Sequence, residues 1–434
     1  MRKTRVTLSI FAIAVPSYSI AFLSRKNMEP LASIARKLFF SEKSRDEWFA
    51  SSSSSSLYAN PRRLAENVPG VVYVNNKCIN CASCSNFCPE SFARSGSDQN
   101  HFVYHQPETP LEIENARAAL VACPVAAIRL ETKSGKRHAT AFASGRSDIQ
   151  VDWTDQEQEL VDKMTLRNAA SPFPRPFLNN ISGVFWVGHH NDASFGATPY
   201  ILQARYGGKP IWIMVDVPRH GKSAVEDVQS LCPDGPDFMM LTHVDDTAHH
   251  DKWARQFPNM KRILHATELK NNWRRDYELE HCEILLQGET RMNGDFAAFR
   301  LDGTPLGENW QEEHQGDNVV ILHTPGHSPG SITLYKRPGS EAGDVGILFT
   351  GDTYAYTTSQ GGYMSGFPPY CRNEEQQVNT IQKFLALEWD VIAPGHGHPR
   401  DYRTINDGDR KSLKSEEMQV ALEELVGRSN RRLW

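Results

Sequence analysis

The sequence predicts two folded modules in series. The first is small and organised around cysteines. The second is larger, with short buried strands that empty into histidine-bearing loops. Three observations carry this. At 434 residues the chain exceeds what one ordinary core holds. Five of its eight cysteines fall between Cys78 and Cys123, a clustering that suits a metal centre better than a disulfide framework. Seven of its sixteen histidines lie in three loops that follow apolar runs.

Composition sets outer limits. With 39% hydrophobic and 23% charged residues, the chain reads as soluble and globular. A net charge of −5 argues against a nucleic-acid partner, which needs a basic face.

Taken in order, residues 1–50 read as a targeting segment. "MRKTR" is a basic start and "VTLSIFAIAVPSYSIAF" an apolar stretch ending in small residues. The stretch is short and broken by Pro16, so no stable membrane span is expected after processing. The alternative is an uncleaved signal anchor. "FLSRKNMEPLASIARKLFFSEKSR" is basic and serine-bearing with few acids, as transit peptides are. The junction "SIAFL" resembles the alanine–phenylalanine cleavage motif of algae with secondary plastids, which implies plastid import. A signal peptide alone would imply the secretory pathway, an oxidising route that suits an iron–sulfur protein badly. Residues 51–57 are a serine linker, 58–132 the cysteine module, and 133–172 a linker plus a helix capped by Thr154. Residues 173–405 form the histidine domain and 406–434 a C-terminal amphipathic helix, with "NDGDR" around Asp407 read as a turn.

"CINCASCSNFCP" spaces Cys78, Cys81, Cys84 and Cys88 as C-x2-C-x2-C-x3-C-P. Thiolates every third residue wrap a loop around a cuboidal cluster. "ACPVAAI" supplies Cys123 thirty-five residues after Cys88. In a two-cluster protein the positions ten, seven and four residues before Cys123 are cysteines. Here they are Ile113, Ala116 and Ala119. The fourth cysteine of each run serves the other cluster. Cys78, Cys81, Cys84 and Cys123 therefore hold one 4Fe–4S cluster, and Cys88 is left without one. Four zinc ligands are the alternative, although zinc favours two separated CxxC pairs. The region resembles single-cluster bacterial-type ferredoxins, which implies an α+β ferredoxin-like module.

The first histidine loop is "LTHVDDTAHHDKW", with His243, Asp245, Asp246, His249 and His250. The second is "HTPGHSPG", with His323 and His327, and the third "APGHGHP", with His396 and His398. "FTGDT" places Asp352 between the second and third. Imidazole and carboxylate together suit zinc, iron or manganese. The order Thr-His, Thr-Pro-Gly-His, Thr-Gly-Asp, Pro-Gly-His resembles the metallo-β-lactamase family, over about residues 175–405. That implies a four-layer αββα sandwich. The whole chain also resembles plant and cyanobacterial proteins that join a ferredoxin module to this fold.

The resemblance implies one metal on His243, Asp245 and His327. It puts a second on His250 and His396, with His249 a further candidate, and Asp352 bridging both. Asp246 is a further carboxylate, and Asp246 and His249 are the candidates for moving protons. One or two zinc or iron ions are expected, because paired cations activate a bridging water and clamp the attacked group. A carboxylate at position 245 makes the first site harder and favours iron or manganese. His189 and His190 read as structural, and Cys232, Cys282 and Cys371 as unpaired thiols.

Three functions follow. One is a metal-dependent hydrolase of a small-molecule substrate with a fused electron-transfer cluster. A second is a non-haem iron oxidoreductase, persulfide dioxygenase-like or di-iron, fed by its own ferredoxin module and a redox partner. The third is a non-catalytic electron carrier on a scaffold that binds no metal.

Overall fold

The computed structural model describes residues 62–95, 100–131, 154–165 and 170–431, apart from residues 293, 313–314, 341–343 and 359–361. Residues 1–61, which hold the expected targeting segment and serine linker, and the polar stretch 132–153 lie outside the described residues. Among the described residues no helix is long and apolar enough to cross a membrane.

The cysteine module is a small α+β unit. It runs β1 (Val72–Val74), α1 (Ser83–Phe87), β2 (Phe92–Arg94), β3 (His101–Val103), α2 (Pro110–Ala122) and β4 (Ile128–Leu130). β1 pairs antiparallel with β4, and β2 with β3. A capping box fixes where α2 begins. Glu112 N donates to Thr109 Oγ1 at 3.2 Å, and Thr109 N donates back to Glu112 Oε2 at 3.0 Å. Pro110 follows at the first helical position, where its missing N–H costs nothing. The far end of α2 then delivers Cys123 as its C-cap. Ile113, Ala116 and Ala119 are buried along this helix, so the absent second ligand run has become core.

α3 (Asp155–Thr165) starts where the sequence predicts, with Glu157 N donating to Thr154 Oγ1 at 3.2 Å.

The larger domain follows. Its first half contains β5 (Arg175–Pro176), β6 (Val184–Trp186), β7 (Tyr200–Tyr206), β8 (Lys209–Val215), α4 (Lys222–Leu231), β9 (Phe238–Met240), α5 (His250–Gln256), β10 (Lys261–His265), α6 (Thr267–Lys270) and β11 (Ile284–Leu286). Its strands form one sheet in the order β11-β10-β9-β8-β7-β6-β5. The second half contains β12 (Ala298–Phe299), β13 (Pro305–Leu306), β14 (Val319–His323), β15 (Ile332–Lys336), β16 (Ile347–Gly351), β17 (Ala355–Thr357), β18 (Tyr363–Ser365), α7 (Glu374–Lys383), β19 (Val391–Pro394), β20 (Arg400–Asp401) and α8 (Asp407–Arg431). The second sheet runs β13-β12-β14-β15-β16-β19-β20.

Side-chain alternation makes these two sheets a sandwich. On β8, Ile213 and Val215 join the central core, while Met214 joins the layer beneath α4 and α5. On β14, Val319 and Ile321 face the same central core, while Val320 and Leu322 face α7 and α8. Strands buried on both faces read as continuous apolar runs, which is how "WIMV" and "VVIL" appear. The Tyr200 and Phe349 rings meet edge to face across the sheets at 5.4 Å. The layers are αββα.

α8 begins earlier than the sequence reading. The "NDGDR" turn around Asp407 belongs to its first turns, where Arg410 N donates to the Asn406 carbonyl at 2.9 Å. Arg410 also pairs with Asp390 at 2.9 Å, a tertiary anchor that the local sequence does not show.

The cysteine module shares the central core of the sandwich. Phe87 of α1 sets its ring against Phe173, Trp186 and His190 at 5.1, 5.3 and 5.9 Å.

Candidate metal centres

Cys78, Cys81, Cys84 and Cys123 line one small apolar cavity with Val74, Val125 and Ile128. None of the four is paired in a disulfide. Cys88 stands apart: it is fully buried, with its Sγ directed at the Glu112 carbonyl, 3.7 Å away. Burial pushes the Cys81 thiol up to about 12 and the Cys84 thiol well above its ordinary range, with neighbouring cysteines adding to the effect. Four thiolates in such a pocket need compensating positive charge, and an iron–sulfur cluster provides it. Donors to sulfur are already in place. Asn80 N reaches Cys78 Sγ at 3.4 Å, and Ala127 N reaches Cys123 Sγ at 3.1 Å. The cavity fits one cubane held by these four residues.

The second centre lies where four strands of the sandwich end. β9 leads into His243, Asp245 and Asp246; β14 leads into His327; β16 into Asp352; and β19 into His396. His243, Asp245 and His327 bring donor atoms within 4.8 Å of one another, as do His243, Asp246 and Asp352. The Nε2 atoms of His243 and His327 approach Asp245 Oδ2 at 3.9 and 3.8 Å, and Asp352 Oδ2 at the same two distances. His396 directs Nδ1 at both Asp352 oxygens, 2.8 and 2.9 Å away. Gly395 permits this convergence: a Cβ there would sit 3.0 Å from Asp352 Oδ1 and 3.3 Å from Asp246 Oδ2.

Hydrogen bonds set the orientation of these groups. Thr242 Oγ1 donates its one proton to Asp216 Oδ1 at 2.8 Å, so its oxygen accepts from His243 Nδ1 at 3.1 Å. This fixes the tautomer and leaves Nε2 as a lone pair. Asp245 Oδ1 is taken by Trp273 Nε1 at 2.5 Å and by Arg372 at 3.4 Å, which leaves Oδ2 for the centre. Glu268 ties the first and second loops together. It accepts from Val244 N at 2.9 Å, Ser328 Oγ at 2.8 Å and Gly330 N at 2.6 Å.

Burial lowers His243 to about 4, helped by the facing His327, so its ring is neutral and ready to ligate. Burial raises Asp246 well above the carboxylate range, with the neighbouring Asp352 and Asp216 adding to it. Burial opposes ionisation of Asp352 too, but the His396 charge and hydrogen bond outweigh it and hold Asp352 below its ordinary value. His243 Nε2, His396 Nε2 and both Asp246 oxygens are buried without a hydrogen-bond partner among the described residues. Buried polar groups without partners are costly, and a cation among them removes the cost. The donor set fits one or two divalent ions.

His249 and His250 are not brought to this cluster. His250 begins α5 with its ring held between Asp276, 3.3 Å from Nε2, and Arg262, 3.1 Å from Nδ1. His249 takes a left-handed backbone conformation before α5, and its Nδ1 accepts from His220 N at 3.2 Å. The helix turns both rings away, whereas Asp246 lies inside the centre. Asp216 and Glu268 escaped the sequence reading. Asp216 closes the strand "WIMVDV", so position offered a hint, but Glu268 lies in a short helix with no such signal.

His189 and His190 are structural. His189 Nε2 pairs with Asp227 at 2.7 Å, and His190 Nδ1 lies 2.7 Å from Ser83 Oγ.

The chain joins a ferredoxin-type module to an αββα sandwich with a donor cluster at its strand ends, the arrangement that the resemblance to metallo-β-lactamases implies. Residues 74–130 match the family described as the 4Fe-4S single cluster domain of Ferredoxin I. A stretch of 86 residues is 33% identical to the probable metallo-hydrolase YflN of Bacillus subtilis (strain 168), covering 19% of this chain and 33% of that protein. A stretch of 149 residues is 26% identical to the PAN2 catalytic subunit of the Candida albicans PAN2-PAN3 deadenylation complex, covering 33% of this chain and 12% of that one. The chain thus spans a third or less of the length of these curated relatives. Among solved structures, an archaeal metallo-beta-lactamase superfamily protein from Sulfolobus tokodaii is 16% identical, with a TM-score of 0.32, over 55% of this chain and 85% of the other. A metallo-beta-lactamase family protein from Thermus thermophilus is 16% identical, with a TM-score of 0.35, over 58% and 81%.

Proposed function

We propose that this protein is a metal-dependent hydrolase of a small-molecule substrate, with a fused 4Fe–4S electron-transfer module. One observation carries the reading. His243, Asp245, Asp246, His327, Asp352 and His396 converge from four strand ends, with buried donor atoms among them that no other described residue satisfies. A cation at such a site polarises a bound water and the attacked group. His243, Asp245 and His327 would hold the first ion, and Asp352 faces both halves of the site. Asp246 and His396 serve the second half.

A second reading, a non-haem iron oxidoreductase, is favoured by the three carboxylates of the donor set, which suit a harder metal. Anaerobic purification followed by metal analysis and EPR separates the two. About four irons plus two zincs support hydrolysis. About five or six irons without zinc support the redox enzyme. About four irons alone mean that the strand-end site binds no metal, which overturns both. Turnover of a panel of esters, thioesters and phosphodiesters then tests the hydrolase directly.

We also propose plastid import through the bipartite N-terminus. A fluorescent fusion of residues 1–57 that stays in the secretory pathway would overturn this.

A further inference from the structure

The cluster loop rests on the backbone that frames the strand-end site. Gly196 lies so close to Cys81 that a Cβ on it would be 2.6 Å from Cys81 Cβ and 3.1 Å from Cys81 Sγ. Its φ of +83° is a second reason for glycine. Two residues later, Thr198 N donates to the carbonyl of Gly395, next to His396, at 2.8 Å. A second link runs beside the first. Asn86, between Cys84 and Cys88, donates from Nδ2 to the carbonyl of Gly397, next to His396, at 3.0 Å. A third closes the contact on the cluster side. His190 Nδ1 must donate to the Gly196 carbonyl, 3.0 Å away, and meets Ser83 Oγ, whose proton is then free for Cys81 Sγ at 3.2 Å. Buried as they are, Ser83 and His190 exclude water from this seam.

We propose that the two centres exchange electrons within one chain, across the seam where Cys81 and Asn86 meet Gly196 and Gly397. The inference rests on the iron reading of the strand-end site. A reduced cluster held by Cys78, Cys81, Cys84 and Cys123 would give up one electron, and a ferric ion held by His243, Asp245 and His327 would take it up and become ferrous. The cluster is refilled by a low-potential one-electron carrier. Packing through Phe87, Phe173 and Trp186 holds the seam closed, so no domain movement is needed for each transfer.

The full chain, loaded with iron at both centres and checked by metal analysis, provides the test. A photoreductant delivers one electron per protein without oxygen, and rapid-freeze EPR follows both signals. The reduced-cluster signal is expected to decay as the ferric signal disappears, at a rate unchanged over a tenfold range of protein concentration. Asn86→Leu is expected to slow it at least threefold with cluster spectrum and iron content intact. A reduced cluster that persists beside ferric iron overturns the proposal, as does a rate proportional to concentration or an unchanged rate in Asn86→Leu. Proximity has its own readout: the reduced-cluster signal should saturate at higher microwave power with iron than with zinc in the strand-end site. Equal saturation overturns it. Failure of iron to enter the strand-end site is a failure of the metal reading, seen in the metal analysis before any electron is delivered.

Discussion

Asp352 offers both carboxylate oxygens to His396 Nδ1, at 2.8 and 2.9 Å, and one of those oxygens also lies 3.9 Å from His243 and 3.8 Å from His327. One side chain therefore joins the third histidine loop to the first two. Asp352→Asn keeps the shape and removes the charge. The variant is expected to lose most of the metal beyond the cluster while retaining about four irons. Metal analysis of the purified variant checks this, and unchanged non-cluster metal would sink the site as described.

The cysteines separate cleanly. Cys123→Ser removes a wall of the cubane cavity and is expected to abolish the visible iron–sulfur absorbance. Cys88→Ser is expected to leave that absorbance intact, because Cys88 faces Glu112 and not the cavity. Its cost is a change in stability alone.

Glu268 touches no proposed metal position, yet it joins Val244, Ser328 and Gly330 across two loops. Glu268→Ala frees both loops and is expected to weaken metal binding by about 10- to 100-fold, the usual size of such outer support. Glu268→Gln keeps the side-chain oxygen but loses the charge, and should fall between the two. Competition with a coloured chelator measures both, and wild-type affinity in Glu268→Ala would show that the loops hold themselves.

Asp246 and the His249–His250 pair give opposite expectations. Asp246→Asn is expected to reduce metal content at the His396 side of the site. His249→Ala and His250→Ala are expected to keep wild-type metal content. His250→Ala should instead destabilise the fold by about 1–3 kcal/mol, because it strips a partner from Asp276 and from the buried Arg262. Denaturant melts beside metal analysis distinguish a structural loss from a ligand loss.

Much of this protein is legible in its sequence. Thiol spacing alone selects Cys78, Cys81, Cys84 and Cys123 and sets Cys88 aside, because a cluster ligand run is local and geometrically strict. The strand-end histidines are legible for a similar reason: a buried apolar run that stops at Thr-His or Pro-Gly-His marks where a side chain emerges from a sheet. Family likeness then supplies the order of the loops and the αββα layers. The tertiary structure decided the rest. It set His249 and His250 apart from the cluster, since α5 begins at His250 and holds that ring between Arg262 and Asp276, 12 and 26 residues further along the chain, while His249 meets His220. It brought in Asp216 and Glu268, whose partners are distant in sequence. It also laid Gly196 against Cys81 and Asn86 against Gly397, a contact joining positions 115 and 311 residues apart. Ligand spacing is written along the chain, but the seam between two modules exists only once both cores have closed around Phe87 and Trp186.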